Sequence, residues 1–152
     1  MEARKNSRKL AVQAVFQFFF SKEDISKILE QFCDYRIKER KNYKKKIDVN
    51  FLKNIVSGVN NNEKKITNLI ESNLSNEWLL DRVDPTMHAI LSLALYELIY
   101  CKDIPDKVII NEYVTIAQQY MDDNNTGFVN AILDTLAKKI RTSDDKWKLY
   151  YR

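Results

Sequence analysis

Between Ile104 and Leu136 the chain carries two stretches with apolar residues at helical intervals, divided by the polar cluster Asp122-Asp123-Asn124-Asn125 and by Gly127. Val108, Ile109, Ile110, Tyr113 and Val114 mark the first stretch, and Val129, Ile132, Leu133, Leu136, Ala137 and Ile140 mark the second. Residues three or four apart share one face of a helix, so each stretch must bury a side. A short polar link makes the two helices antiparallel neighbours, with a predicted turn at 122–125 and a second helix that opens at Phe128. Asn111, Glu112 and Asn130 are set into these apolar runs, and polar groups in such places require hydrogen-bond partners.

The same periodicity extends over most of the chain. With two glycines and two prolines in 152 residues, nothing demands a strand, and the predicted fold is all-α with about seven helices. The length suits one domain with a real core. No apolar run approaches the ~18 residues of a membrane span, and the charged opening MEARKNSRKL is unlike a signal peptide, so a cytoplasmic location is expected. Cys33 and Cys101 stand alone without metal-ligand spacing, which favours buried, reduced thiols.

In chain order, Glu2 to about Phe20 forms a helix that is basic at one end (Arg4, Lys5, Arg8, Lys9) and apolar beyond it (Leu10, Ala11, Ala14, Val15, Phe18). The run Phe16 to Phe20 exceeds what one face can bury, so neighbours must cover both sides of the helix or a partner must meet it. A short helix over Ile25, Ile28, Leu29 and Phe32 ends near Tyr35. Arg36 to Lys46 holds seven basic residues and reads as a solvated loop, serving solubility or an accessory RNA contact. Asp48 caps the longest predicted helix, whose stripe from Leu52 through Ile70 runs to about Asn73. Gly58 within it suggests a close helix crossing. A short helix over Ser75 to Val83 carries Trp78. Asp84-Pro85 then opens a helix that is apolar on most sides, from Met87 to Cys101, and is therefore central. His88 has no companion ligand and reads as surface or structural. Thr142 to Arg152 lacks a stripe and reads as a tail.

Catalysis needs an activated nucleophile, a metal cluster or a phosphate-cradling glycine loop, and the sequence offers none of these. Glu97, Glu112 and Asp134 are better read as members of inter-helix networks than as an acid pair. No cofactor is implied. A basic helix end beside surplus aromatics suits single-stranded RNA, where cations track phosphates and bases stack on rings.

Three motifs in order, AILSLALYEL, IPDKVIINE and FVNAILD, with AVQAVF in the first helix, resemble the NusB family of bacterial transcription antitermination factors over about residues 4 to 140. The resemblance implies two small packed helical bundles, about 1–74 and 75–141, in one domain of 1–141 followed by a tail at 142–152. It further implies a non-catalytic adaptor that binds boxA-type RNA together with the ribosomal protein NusE and serves the elongation complex in ribosomal RNA transcription. For this chain it assigns RNA contacts to Arg4, Lys5, Arg8, Lys9, Gln13 and Phe128, and the protein-partner surface to Phe16, Tyr120, Asp122, Asp123 and Asn124. Phe16 stands where the family has a tyrosine, which keeps stacking and removes a hydroxyl. Asn6 and Ser7 thin the family's arginine run, and Met87, His88 and Ser92 replace its acid, basic residue and arginine, changes expected to lower RNA affinity. Two alternatives accompany this reading. One is a targeting module like the domain that precedes some RNA cytosine methyltransferases. The other is a homodimer that buries the phenylalanines of the first helix; the monomer or dimer choice stays open.

Overall fold

A computed structural model of the protein describes residues 2–33, 47–74 and 83–141. Among these residues are seven helices, α1 (Glu2–Ser21), α2 (Ile25–Gln31), α3 (Val49–Asn61), α4 (Glu63–Ser72), α5 (Pro85–Tyr100), α6 (Asp106–Tyr120) and α7 (Asp123–Ile140). None is long and apolar enough to cross a membrane. The expected all-α architecture is present. Aspartates start four of the helices by accepting a hydrogen bond from an orphan backbone N–H: Asp24 from Ser26, Asp48 from Phe51, Asp84 from Met87 and Asp122 from Asn125.

α5 is the axis of the molecule. Its residues from Ala89 to Ile99 are all buried, because α1, α3, α4, α6 and α7 each pack against it. The α1–α2–α3 group on one side and the α6–α7 hairpin on the other share it, and their buried apolar residues form one continuous cluster. Gly58 permits the α3–α5 crossing: a Cβ there would lie 2.0 Å from Cε1 of Tyr96, well inside van der Waals contact. Arg141, just past α7, donates to the carbonyls of Glu97, Leu98, Cys101 and Ile104. One guanidinium thus satisfies the open C-terminal end of α5, a role the sequence reading missed.

Several expectations change. The stripe from Leu52 to Ile70 belongs to two helices, broken at Asn62, whose backbone (φ −118°, ψ 22°) leaves the helical region. Among the described residues the longest helix is therefore α1, with 20 residues. The 122–125 cluster is not a turn: Asp122 is the cap and Asp123, Asn124 and Asn125 form the first turn of α7, with Gly127 inside the helix. Asn111, Asn130 and Val108 face outward, so the first two need no internal partners. The readings for Arg36 to Lys46, for the helix over 75–82 and for the tail at 142–152 fall outside the described residues.

Candidate nucleic-acid and partner interface

The basic end of α1 sorts its residues by direction. Arg8, which belongs to the RNA set implied by the family resemblance, points inward and is 4% exposed. Its Nε and one Nη donate to the two carboxylate oxygens of the fully buried Glu97 at 2.9 and 2.8 Å, the fork geometry that suits guanidinium to carboxylate. The hydroxyl of Tyr113, on α6, donates to the same carboxylate. Burial alone would pull the Arg8 guanidinium down, but its hydrogen bonds to Glu97 and that residue's charge hold it above its ordinary value. Burial, followed by the adjacent carboxylate, pushes the Tyr113 hydroxyl well up, so it stays a donor. Arg8 is thus buried against Glu97 of α5, which Tyr113 of α6 also meets, and is not a surface cation.

Arg4 and Lys5 do face solvent. Arg4 lies 3.7 Å from Asp48 across a half-exposed pair, with its guanidinium 4.6 Å above the Phe51 ring. Lys5 sits 4.0 Å from Glu112. Such exposed pairs contribute about 0–1 kcal/mol and exchange readily for a phosphate. Lys9 and Gln13 are half-buried. Ser7, which thins the arginine run, is fully buried and accepts from the Asp48 amide at 2.9 Å. It ties α1 to the start of α3. Asp48, Phe51 and Glu112 were not singled out as companions of the basic end, since nothing in the sequence pairs them with residues some 45 or 100 positions away.

One helical turn past Gln13 the surface becomes apolar. Phe16 and Phe20 stack at 5.9 Å with Phe20 74% exposed, so the described neighbours cover Phe18 and Phe19 in part and leave this pair open. These rings line an open cleft of about 620 Å³ with Gln13, Phe32, Thr86 and Tyr120. The structure therefore gathers Gln13, Phe16 and Tyr120 in one place. Asp122, Asp123 and Asn124 stand exposed on the first turn of α7, and Phe128 packs half-buried against the core; these four do not line the cleft. Phe32 and Thr86 join it without having been anticipated.

The family departures on α5 lie mostly inside. Met87 and Ser92 are buried, and the His88 ring stacks on Phe19 at 4.1 Å, where burial lowers its basicity. Cys33 and Cys101 are half-buried and not joined in a disulfide, and burial pushes the Cys101 thiol up to about 11, so it is no ready nucleophile. Among the described residues no group of acids, histidines and cysteines is placed to hold a metal.

The sequence profile of the NusB family matches residues 5–138. A transcription antitermination protein NusB from Sinorhizobium fredii is 37% identical over 140 residues, covering 91% of this chain and 88% of that protein. One from Clostridium botulinum is 35% identical, covering 90% and 98%. Among solved structures, T. maritima NusB superposes with a TM-score of 0.78 at 32% identity, over 93% of this chain and 95% of its own. The NusB chain solved with NusE and double-stranded RNA shares the fold, with a TM-score of 0.77 at 22% identity over 91% and 98%. The agreement runs through nearly the full length of both partners in each comparison, and the chain belongs to the NusB family of transcription antitermination proteins.

Proposed function

We propose that the protein is a stoichiometric, non-catalytic adaptor that joins boxA-type single-stranded RNA to NusE and so supports transcription of ribosomal RNA by the elongation complex. The observation that carries this reading is the division of α1: exposed cations Arg4 and Lys5 at one end, and the stacked, exposed Phe16 and Phe20 about three turns on. One rigid helix presents an electrostatic surface and an apolar one, which is what an adaptor between a polyanion and a protein requires. The solved assembly of a NusB with NusE and RNA supports the choice of partners. In this reading RNA is met by Arg4, Lys5, Lys9, Gln13 and Phe128, while NusE meets Phe16, Tyr120 and the exposed Asp122, Asp123 and Asn124.

The test is a titration with boxA-type RNA, with NusE, and with both. Binding to each partner and tighter RNA binding when NusE is present are expected; failure to bind either partner overturns the proposal. Light scattering separates this from the homodimer alternative. Self-association that Phe16→Ala abolishes, with no affinity for NusE, would assign the cleft to a second copy of the chain.

A further inference from the structure

Phe51, Asn54, Gly58 and Asn62 recur at helical spacing along α3 and at its C-terminal cap; of these, Asn54 and Gly58 meet Tyr96 and Asn62 meets Tyr100 on α5. Arg4 covers Phe51 at the start of the stripe. At its far end, Tyr100 is 43% exposed yet fixed on several sides. Its hydroxyl donates to Oδ1 of Asn62 at 2.9 Å, whose amide in turn donates to the Gly58 carbonyl at 2.8 Å. Its ring meets that of Tyr96 at 5.0 Å, and Lys65 places Nζ 3.4 Å from the hydroxyl and 5.5 Å from the ring centre. The helix end that bears Tyr100 is itself pinned by Arg141 through the carbonyls of Glu97, Leu98 and Cys101.

An exposed tyrosine held this firmly loses little freedom when something stacks on it, which is the condition for an efficient platform. From Phe51 to Asn62 the stripe spans roughly 16 Å at the α-helical rise, room for a few nucleotides beyond those that Arg4 meets. We infer that the α3–α5 seam is a second leg of the RNA path, with Tyr100 stacking an unpaired base of the sequence flanking boxA and Lys65 beside it. This rests on the RNA-binding reading above and extends it to a surface outside the partner cleft. Glu63 and Asp103 lie within three residues of Lys65 and Tyr100 and offset Lys64 and Lys102, which limits net charge there. The gain from this leg therefore comes mainly from stacking and depends little on salt.

The experiment compares, in the presence of NusE, boxA RNA with the same RNA extended by about four uridines at its 5′ or its 3′ end, within the range of site sizes for single strands. One extended RNA should bind wild type more tightly than the unextended RNA. Tyr100→Leu should lower affinity for that RNA about five- to a hundredfold and leave the unextended RNA unaffected, while Tyr100→Phe, which keeps the ring but loses the hydroxyl's bond to Asn62, should keep only part of the gain. Should Tyr100→Leu fail to fold, Lys65→Glu serves the same comparison and should also reduce the gain. An extension that adds nothing, or a gain that survives these changes, overturns the inference and leaves the adaptor reading intact. Absence of RNA binding by wild type overturns both.

Discussion

Arg4 and Arg8 are the same residue type one helical turn apart, and burial gives them opposite work. Arg8, Ala11 and Val15 are buried, whereas Arg4, on the same face by spacing but in the first turn of α1, stands in solvent. Helical phase alone therefore does not separate the two arginines. What the sequence could not supply is the partner, Glu97, 89 positions away, although an acid inside an otherwise apolar helix signals that some cation must reach it. Arg8→Ala leaves that carboxylate buried and unpaired, so thermal or denaturant unfolding should show a loss of about 3–5 kcal/mol. Arg4→Ala should change stability by less than about 1 kcal/mol. His88 offers a second test at this scale. Its basicity is lowered in the fold by burial, so below its unfolded pKa of about 6.5 the unfolded chain binds more protons than the native one. Stability contributed at neutral pH is thus lost as pH falls toward the folded pKa. Relative to His88→Phe, which keeps an aromatic ring against Phe19, wild type should lose melting temperature between pH 7 and 5; an unchanged difference would show that His88 is not the group responsible.

At the scale of elements, capping and periodicity were legible and breaks in phase were not. Asp84-Pro85 and Asp48 start α5 and α3 where chemistry says they should. The break at Asn62 escaped because Val59 and Ile66 are seven residues apart and stay on one face whether or not the helix between them is continuous. The first turn of α7 escaped for a different reason. Asp123, Asn124 and Asn125 bury little there, so an apolar period cannot report them, while Asp122 with the amide three residues on was the available signal. The crossing at Gly58 was legible as an anomaly, a glycine inside a long stripe, without its partner. Gly58→Ala should gain up to about 1 kcal/mol of helix propensity and lose more by driving Cβ into the packed ring of Tyr96, where overpacking costs about 1–3 kcal/mol. A net fall in melting temperature is expected. A stabilised variant would mean that the ring moves aside freely.

For the whole molecule, the two surfaces on α1 should fail separately when altered separately. Phe16 borders the cleft and is exposed, so Phe16→Ala should weaken association with NusE by about 2 kcal/mol, as loss of an aromatic anchor commonly does. Circular dichroism and melting should change little. Equal affinity for NusE would place the partner elsewhere. The cationic end has a different signature, because neutralised phosphates release condensed counterions and log affinity falls with log salt by roughly 0.7 per contact on single strands. If Arg4 and Lys5 exchange Asp48 and Glu112 for phosphates, Arg4→Ala/Lys5→Ala should shallow that slope by roughly 1.4. The loss should be similar for matched and scrambled RNA, since phosphate contacts carry little sequence information. Arg8 makes the discriminating control: its guanidinium is buried and paired with Glu97, so the charge-removing Arg8→Gln, measured where the variant is still folded, should keep the wild-type slope. A shallower slope in that variant would return Arg8 to the RNA surface and require the Glu97 pair to open on binding.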